Sequence, residues 1–256
     1  MNDISKGAIS QTPKRIGILL ADMGKFNRNV SVLKYLVLHM NTLQGAFTFE
    51  FLPADIDEDI LQEDESLFLK NFIQKFSDRS TVAHARETEK GKELRDIEIP
   101  TFRRCYENYL QLSIKDFKIH DKEIPEYFIL ITTARFSNNF YSLREKGLAI
   151  LALGDWDRHL APPSIIEYIL TLILRQSVAF VSPSLNGSIH LGTKGCLCDF
   201  TQSLSEVRQH VLNGFICSYC RACLKADRYA SLADDLTPLL KRDWLGSFKE
   251  PHAQFV

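Results

Sequence analysis

Residues Arg15 to Pro53 set the strongest limit on architecture. "RIGILLA" (Arg15–Ala21) is a short, nearly unbroken apolar run, which suits a strand buried on both faces. "NVSVLKYLVLHMNTL" (Asn29–Leu43) follows with helical spacing, Val32, Leu36 and His39–Met40 recurring on one side. "FTFEFLP" (Phe47–Pro53) then alternates as a strand does and is stopped by proline. Strand, helix, strand in that order favours parallel pairing through a crossover helix, so the chain opens as an α/β protein.

Two further strands are predicted near Tyr127–Thr133 and Leu148–Leu153, both apolar runs bounded by turn residues or charge. After them, "PPSIIEYIL" starts a long helix, expected from Ser164 to about Val181. Ser164 and Glu167 have the S-x-x-E spacing of a capping box. Glu167 therefore has a structural role and is not recruited as a catalytic acid. Between the second and third strands lies a charged section, Ala54–Pro125. Its stretch "DIDEDILQEDESLFLKNFIQKF" is amphipathic, with Ile60, Leu61, Phe68, Phe72 and Phe76 on one face, and reads as helix beside the sheet. The expected organisation is a disordered N-terminus, 1–14, followed by one α/β domain, 15–256. It has a mixed, mostly parallel sheet with flanking helices and includes a zinc-binding segment at 190–224.

Composition narrows the partners. The 256 residues carry 45% hydrophobic and 25% charged side chains and a formal net charge of −1, an ordinary globular balance. So small a charge argues against duplex nucleic acid or an anionic membrane. Arg208, Arg221, Lys225 and Arg228 form only a modest basic patch. The polar N-terminus has no secretory core, and "SIIEYILTLILRQSVAFV" is interrupted by Glu167, Arg175 and Gln176. A cytoplasmic protein with no membrane association is expected, and in that reducing compartment clustered cysteines read as metal ligands.

Five of the six cysteines fall between Gly195 and Leu224. Cys217 and Cys220 form C-x-x-C, whose thiolates can take adjacent corners of a zinc tetrahedron, and Cys196 stands about twenty residues upstream, ordinary spacing for a third ligand. The fourth is His190, Cys198 or Cys223. Other motifs carry less. Gly17 and Gly24 after the first strand lack the spacing of a phosphate-binding loop. In "GDWDRH", Asp155, Asp157 and His159 alternate and could meet a metal, but such residues are commonly solvated. His39, His84, His120, His210 and His252 have no neighbours at ligand spacing and read as surface or packing histidines.

Over Phe180–Arg221 the chain resembles the archaemetzincins, a zinc metallopeptidase family. That family reads H-E-x-x-H-x-x-G-x-x-H, a cysteine directly after the third histidine, a second cysteine soon after, and a later C-x-x-C. Without a gap, "FVSPSLNGSIH" lies over the catalytic motif, with Gly187 and His190 on the glycine and third histidine. Cys196 lies on the second cysteine, and Cys217 and Cys220 on the C-x-x-C. Phe180, Val181 and Ser184 stand where the family has its first histidine, its general-base glutamate and its second histidine, and Leu191 replaces the first structural cysteine. The resemblance implies a metzincin-like fold with an emptied catalytic centre and one structural zinc. Its ligands are Cys196, Cys217 and Cys220, with His190 or Cys198 as the fourth. His190 is favoured slightly, because two ligands separated by one residue are harder to fit on one tetrahedron. The function this implies is a zinc-stabilised module that binds a protein partner. The alternative is an active zinc hydrolase with a metal site rebuilt from His190 and the Asp155, Asp157, His159 group.

Overall fold

The computed structural model describes residues 12–20, 23–52, 125–132, 141–145, 147–186, 195–201 and 203–245. Five strands, β1 (Lys14–Leu20), β2 (Phe47–Phe51), β3 (Tyr127–Thr132), β4 (Ser142–Glu145) and β5 (Leu148–Ala152), form one sheet in the order β2-β1-β3-β5-β4. The first four in that order run parallel, and β4 closes the edge antiparallel to β5. The crossover expected from the opening is present: helix α1 (Val30–Leu43) joins β1 to the parallel neighbour β2. The four predicted strands agree to within a residue at each described end. β4 is an addition to them, because "SLRE" is short and polar and carries no strand pattern of its own.

The helix reading of α1 stands, but its inward face is corrected. Leu33, Val37 and Met40 are buried, whereas Val32 is 40% exposed and His39 is only partly covered. "VSVLKYLVLHM" is apolar on more than one side, so two stripes share the same three-and-four spacing and periodicity alone does not choose between them.

Helix α2 (Ile165–Val181) is buried on nearly every side. Ser164 caps it as predicted: Glu167 N–H donates to Ser164 Oγ at 3.4 Å, and Ser164 N–H donates to Glu167 Oε2 at 2.7 Å. Arg242 adds a second clasp, 3.4 Å from Glu167 Oε1 and donating to Thr171 Oγ1 at 2.9 Å. Toward the sheet, the Phe180 ring stacks on Tyr127 of β3 with centroids 4.9 Å apart. The helix stops at Val181, and Pro183, which cannot continue its ladder, opens the short α3 (Pro183–Asn186). Asp227 fixes this corner, accepting from the Ser182 hydroxyl, from Ser184 Oγ at 2.7 Å and from Ser184 N–H at 3.0 Å. Three helices follow: α4 (Leu204–Asn213) packs on α2, α5 (Ser218–Ala226) on α3, and α6 (Leu232–Lys241) on α1 and α5. The predicted helix in 54–125 and the side chains of Ile60, Leu61, Phe68, Phe72 and Phe76 lie outside the described residues, as do residues 1–11.

Candidate metal centre

The thiol-bearing segment is built from two turns brought side by side. The first, 195–199, starts at Gly195 with φ 107°, a left-handed conformation that favours glycine. Asp199 N–H bonds back to Cys196 C=O at 3.0 Å, and Asp199 Oδ2 accepts from the N–H groups of Gly195 (2.9 Å) and Cys196 (3.1 Å). The second follows α4, which ends on Gly214 with φ 47°, where any Cβ would run into the Leu240 carbonyl. A single parallel bridge, Cys196 to Phe215, with Leu197 N–H donating to Phe215 C=O at 2.8 Å, locks the two turns together.

The Sγ atoms of Cys196, Cys198 and Cys220 consequently lie within 4.8 Å of one another, buried or nearly so, a group that can hold a metal ion. Cys196 and Cys220 sulfurs are 3.8 Å apart. Backbone amides support the sulfurs: Cys217 N–H donates to Cys196 Sγ at 3.3 Å, and Cys220 N–H donates to Cys217 Sγ at 3.5 Å. Such donors favour the thiolate, the form that binds metal. Hydrogen bonds from the Cys198 and Cys220 thiols hold Cys196 far down, to about 2, and the same sharing of one charge pushes Cys198 and Cys220 up. Clustered sulfurs that share protons in this way lose them when a soft metal binds.

The predicted residues are placed as follows. Cys196, Cys198 and Cys220 come together. Cys217 caps the start of α5 and stands next to this group without belonging to it, and Cys223 lies one turn further along the helix. His190, Gly187 and Leu191 lie outside the described residues. The steric objection to Cys198 does not hold, because the 196–199 turn folds the C-x-C so that both sulfurs converge. Phe180 and Val181 pack in the core. In the "GDWDRH" segment, Asp157 Oδ1 accepts the His159 N–H at 2.8 Å in a short 3-10 turn, with the Asp157 and His159 side chains exposed and apart from the sulfurs.

Beside the sulfurs stand Asp199 and Arg175, to which the sequence reading assigns no role here, and His210, expected as a surface or packing histidine and found packed. Asp199 is buried, and His210 of α4 is 2% exposed, its Nε2 3.8 Å from Asp199 Oδ2. Arg175 of α2 donates to Thr201 Oγ1 at 2.7 Å and lies 3.4 Å from His210 Nδ1. Burial, with Arg175 adding to it, lowers the His210 pKa to about 4, so the imidazole is neutral near pH 7. One signal is available in the sequence: Leu204, Val207, His210 and Val211 share the apolar face of α4.

No protein-family model matches the chain, and no curated protein matches it in sequence. Among solved structures, it is similar to an archaemetzincin from Methanopyrus kandleri at 11% identity and a TM-score of 0.45, covering 85% of this chain and 96% of that one. A zinc-dependent peptidase from Methanocorpusculum labreanum aligns at 12% identity and a TM-score of 0.39, covering 82% and 99%. Among the described residues, no helix is long and apolar enough to cross a membrane.

Proposed function

We propose that the chain is a zinc-stabilised, archaemetzincin-like module without peptidase activity that serves by binding a protein partner. The convergence of the Cys196, Cys198 and Cys220 sulfurs within 4.8 Å carries this reading, with Cys217 adjacent to them. Soft thiolates in a buried cluster suit zinc, and with Cys217 or His190 as the fourth ligand the tetrahedron closes and leaves no position for water, so the ion's contribution is to the fold. For catalysis, a zinc peptidase needs three protein ligands, an open position and a base for the zinc-bound water. Phe180 and Val181 offer neither lone pair nor carboxylate, and both are occupied in packing. A protein partner fits the near-zero net charge and the exposed apolar strip of Val32, Tyr35 and Leu38 along α1.

Metal analysis of the purified protein, run with a peptide-library hydrolysis assay, tests the proposal. About one tightly held zinc per chain and no hydrolysis are expected. A second zinc together with zinc-dependent cleavage, abolished by His190→Ala in a folded protein, would establish the rebuilt hydrolase instead.

A further inference from the structure

Arg175 brings a full positive charge to the inner face of the thiol segment. Among the described residues its guanidinium meets Thr201 Oγ1, the His210 ring and the Tyr141 ring, whose centroid is 5.9 Å from the Arg175 Cζ. Among the described residues no carboxylate stands within ion-pairing distance of it. A partly buried cation without a counter-charge is costly, and so is the opposite case. Three or four thiolates exceed the charge of a divalent ion, which leaves a buried zinc–thiolate centre net negative. The two excesses lie on neighbouring elements.

The connection between them is short. Thr201, three positions after Cys198, receives the Arg175 hydrogen bond and is also 2.5 Å from the Tyr141 hydroxyl. At the other end of the same loop, Asp199 grips the amides of Gly195 and Cys196 and faces His210, which in turn touches Arg175. Asp199 and Arg175 thus hold the two ends of the ligand loop, one through its amides and the other through a hydroxyl.

We infer that Arg175 is the counter-cation of the thiolate centre, a positioning residue that ties the Cys196–Thr201 loop to α2 and balances the excess negative charge of the metal-bound sulfurs. This role rests on the zinc reading above. Groups that orient or balance metal ligands from behind typically change metal affinity by about 10- to 100-fold when removed.

The test uses the full chain with zinc, measuring affinity by competition against a chromophoric chelator and melting with and without the metal. Zinc binding by the wild-type protein tests the site itself, and the ratio of variant to wild-type affinity tests Arg175. Arg175→Gln should weaken zinc by about 10- to 100-fold. Arg175→Lys, which keeps the charge, should restore most of it. Thr201→Val, which removes the hydrogen-bond acceptor and leaves the cation, should cost far less than Arg175→Gln. If Arg175→Gln binds zinc as tightly as wild type, or if Arg175→Lys and Thr201→Val are both as weak as Arg175→Gln, the counter-cation role is overturned. It is overturned equally if Arg175→Gln lowers the melting temperature by the same amount with and without zinc.

Discussion

The sheet with α2 and the thiol segment behind it are held together by different physics. In the sheet and α2, Ile16, Ile18, Ile129, Ile131, Leu151 and Leu172 are fully buried, and no single one of them defines the fold. Between Gly195 and Ala226 the turns are fixed by a backbone bridge, by N–H···S contacts and by buried polar atoms. Stability spread over many methylenes degrades gradually when one is removed. Stability concentrated in three sulfurs and their neighbours is lost abruptly, and depends on a ligand as well as on the chain.

The sharpest way to break the contrast is Cys220→Ser. The thiol is fully buried, and serine supplies a hard oxygen where a soft sulfur met Cys196. Loss of tightly held zinc is expected, with amide-exchange protection collapsing across α4 and α5 while the amides of β1, β3 and β5 stay protected. Unchanged metal content would mean that the cluster is only a set of packed thiols. Leu172→Ala should do the reverse. Leu172 is fully buried at the centre of α2, and its truncation should cost about 2–5 kcal/mol by urea denaturation, with or without chelator. If that cost disappears when zinc is removed, the two regions do not have the separate supports described above.

The two regions also differ in how much of them can be read from sequence. β1, β2, β3, β5 and α2 are legible because a buried strand or a capped apolar helix is specified by neighbours in the chain: a run such as "YFILIT", a cap such as Ser164 with Glu167. In the metal centre, the identity of the cysteines and their spacing point to a site. The choice of partners does not follow from spacing, since the convergence of Cys198 depends on a left-handed Gly195 and on Asp199 folding back over the turn. Arg175 is invisible for a similar reason. It interrupts an apolar helix, and nothing within a few residues of it reveals that Thr201 and His210 pack there. Sequence conveys local order well and long-range polar pairing poorly.

A smaller effect sharpens the comparison through acid. Burial, and then the Arg175 charge, disfavour the His210 cation, and the Cys196 sulfur opposes them. Burial and Arg175 prevail, and the pKa falls to about 4 from the ordinary 6.5, although Asp199 Oδ2 stands 3.8 Å from the ring. The sign follows directly. Above pH 6.5 the imidazole is neutral in folded and unfolded chains, and it takes nothing from stability. Between pH 6.5 and about 4 the unfolded chain takes up a proton that the folded chain refuses, so stability drops as the pH falls, by up to about 3 kcal/mol. His210→Gln removes the titration and should flatten this slope while costing some packing at pH 7.5. The measurement is urea denaturation of both proteins at pH 7.5 and 5, in chelator, so that proton competition for zinc does not enter. Parallel slopes for variant and wild type would show that His210 is protonated in the fold, paired with Asp199. The thiol segment would then contain a buried ion pair in place of the neutral ring that burial and Arg175 favour.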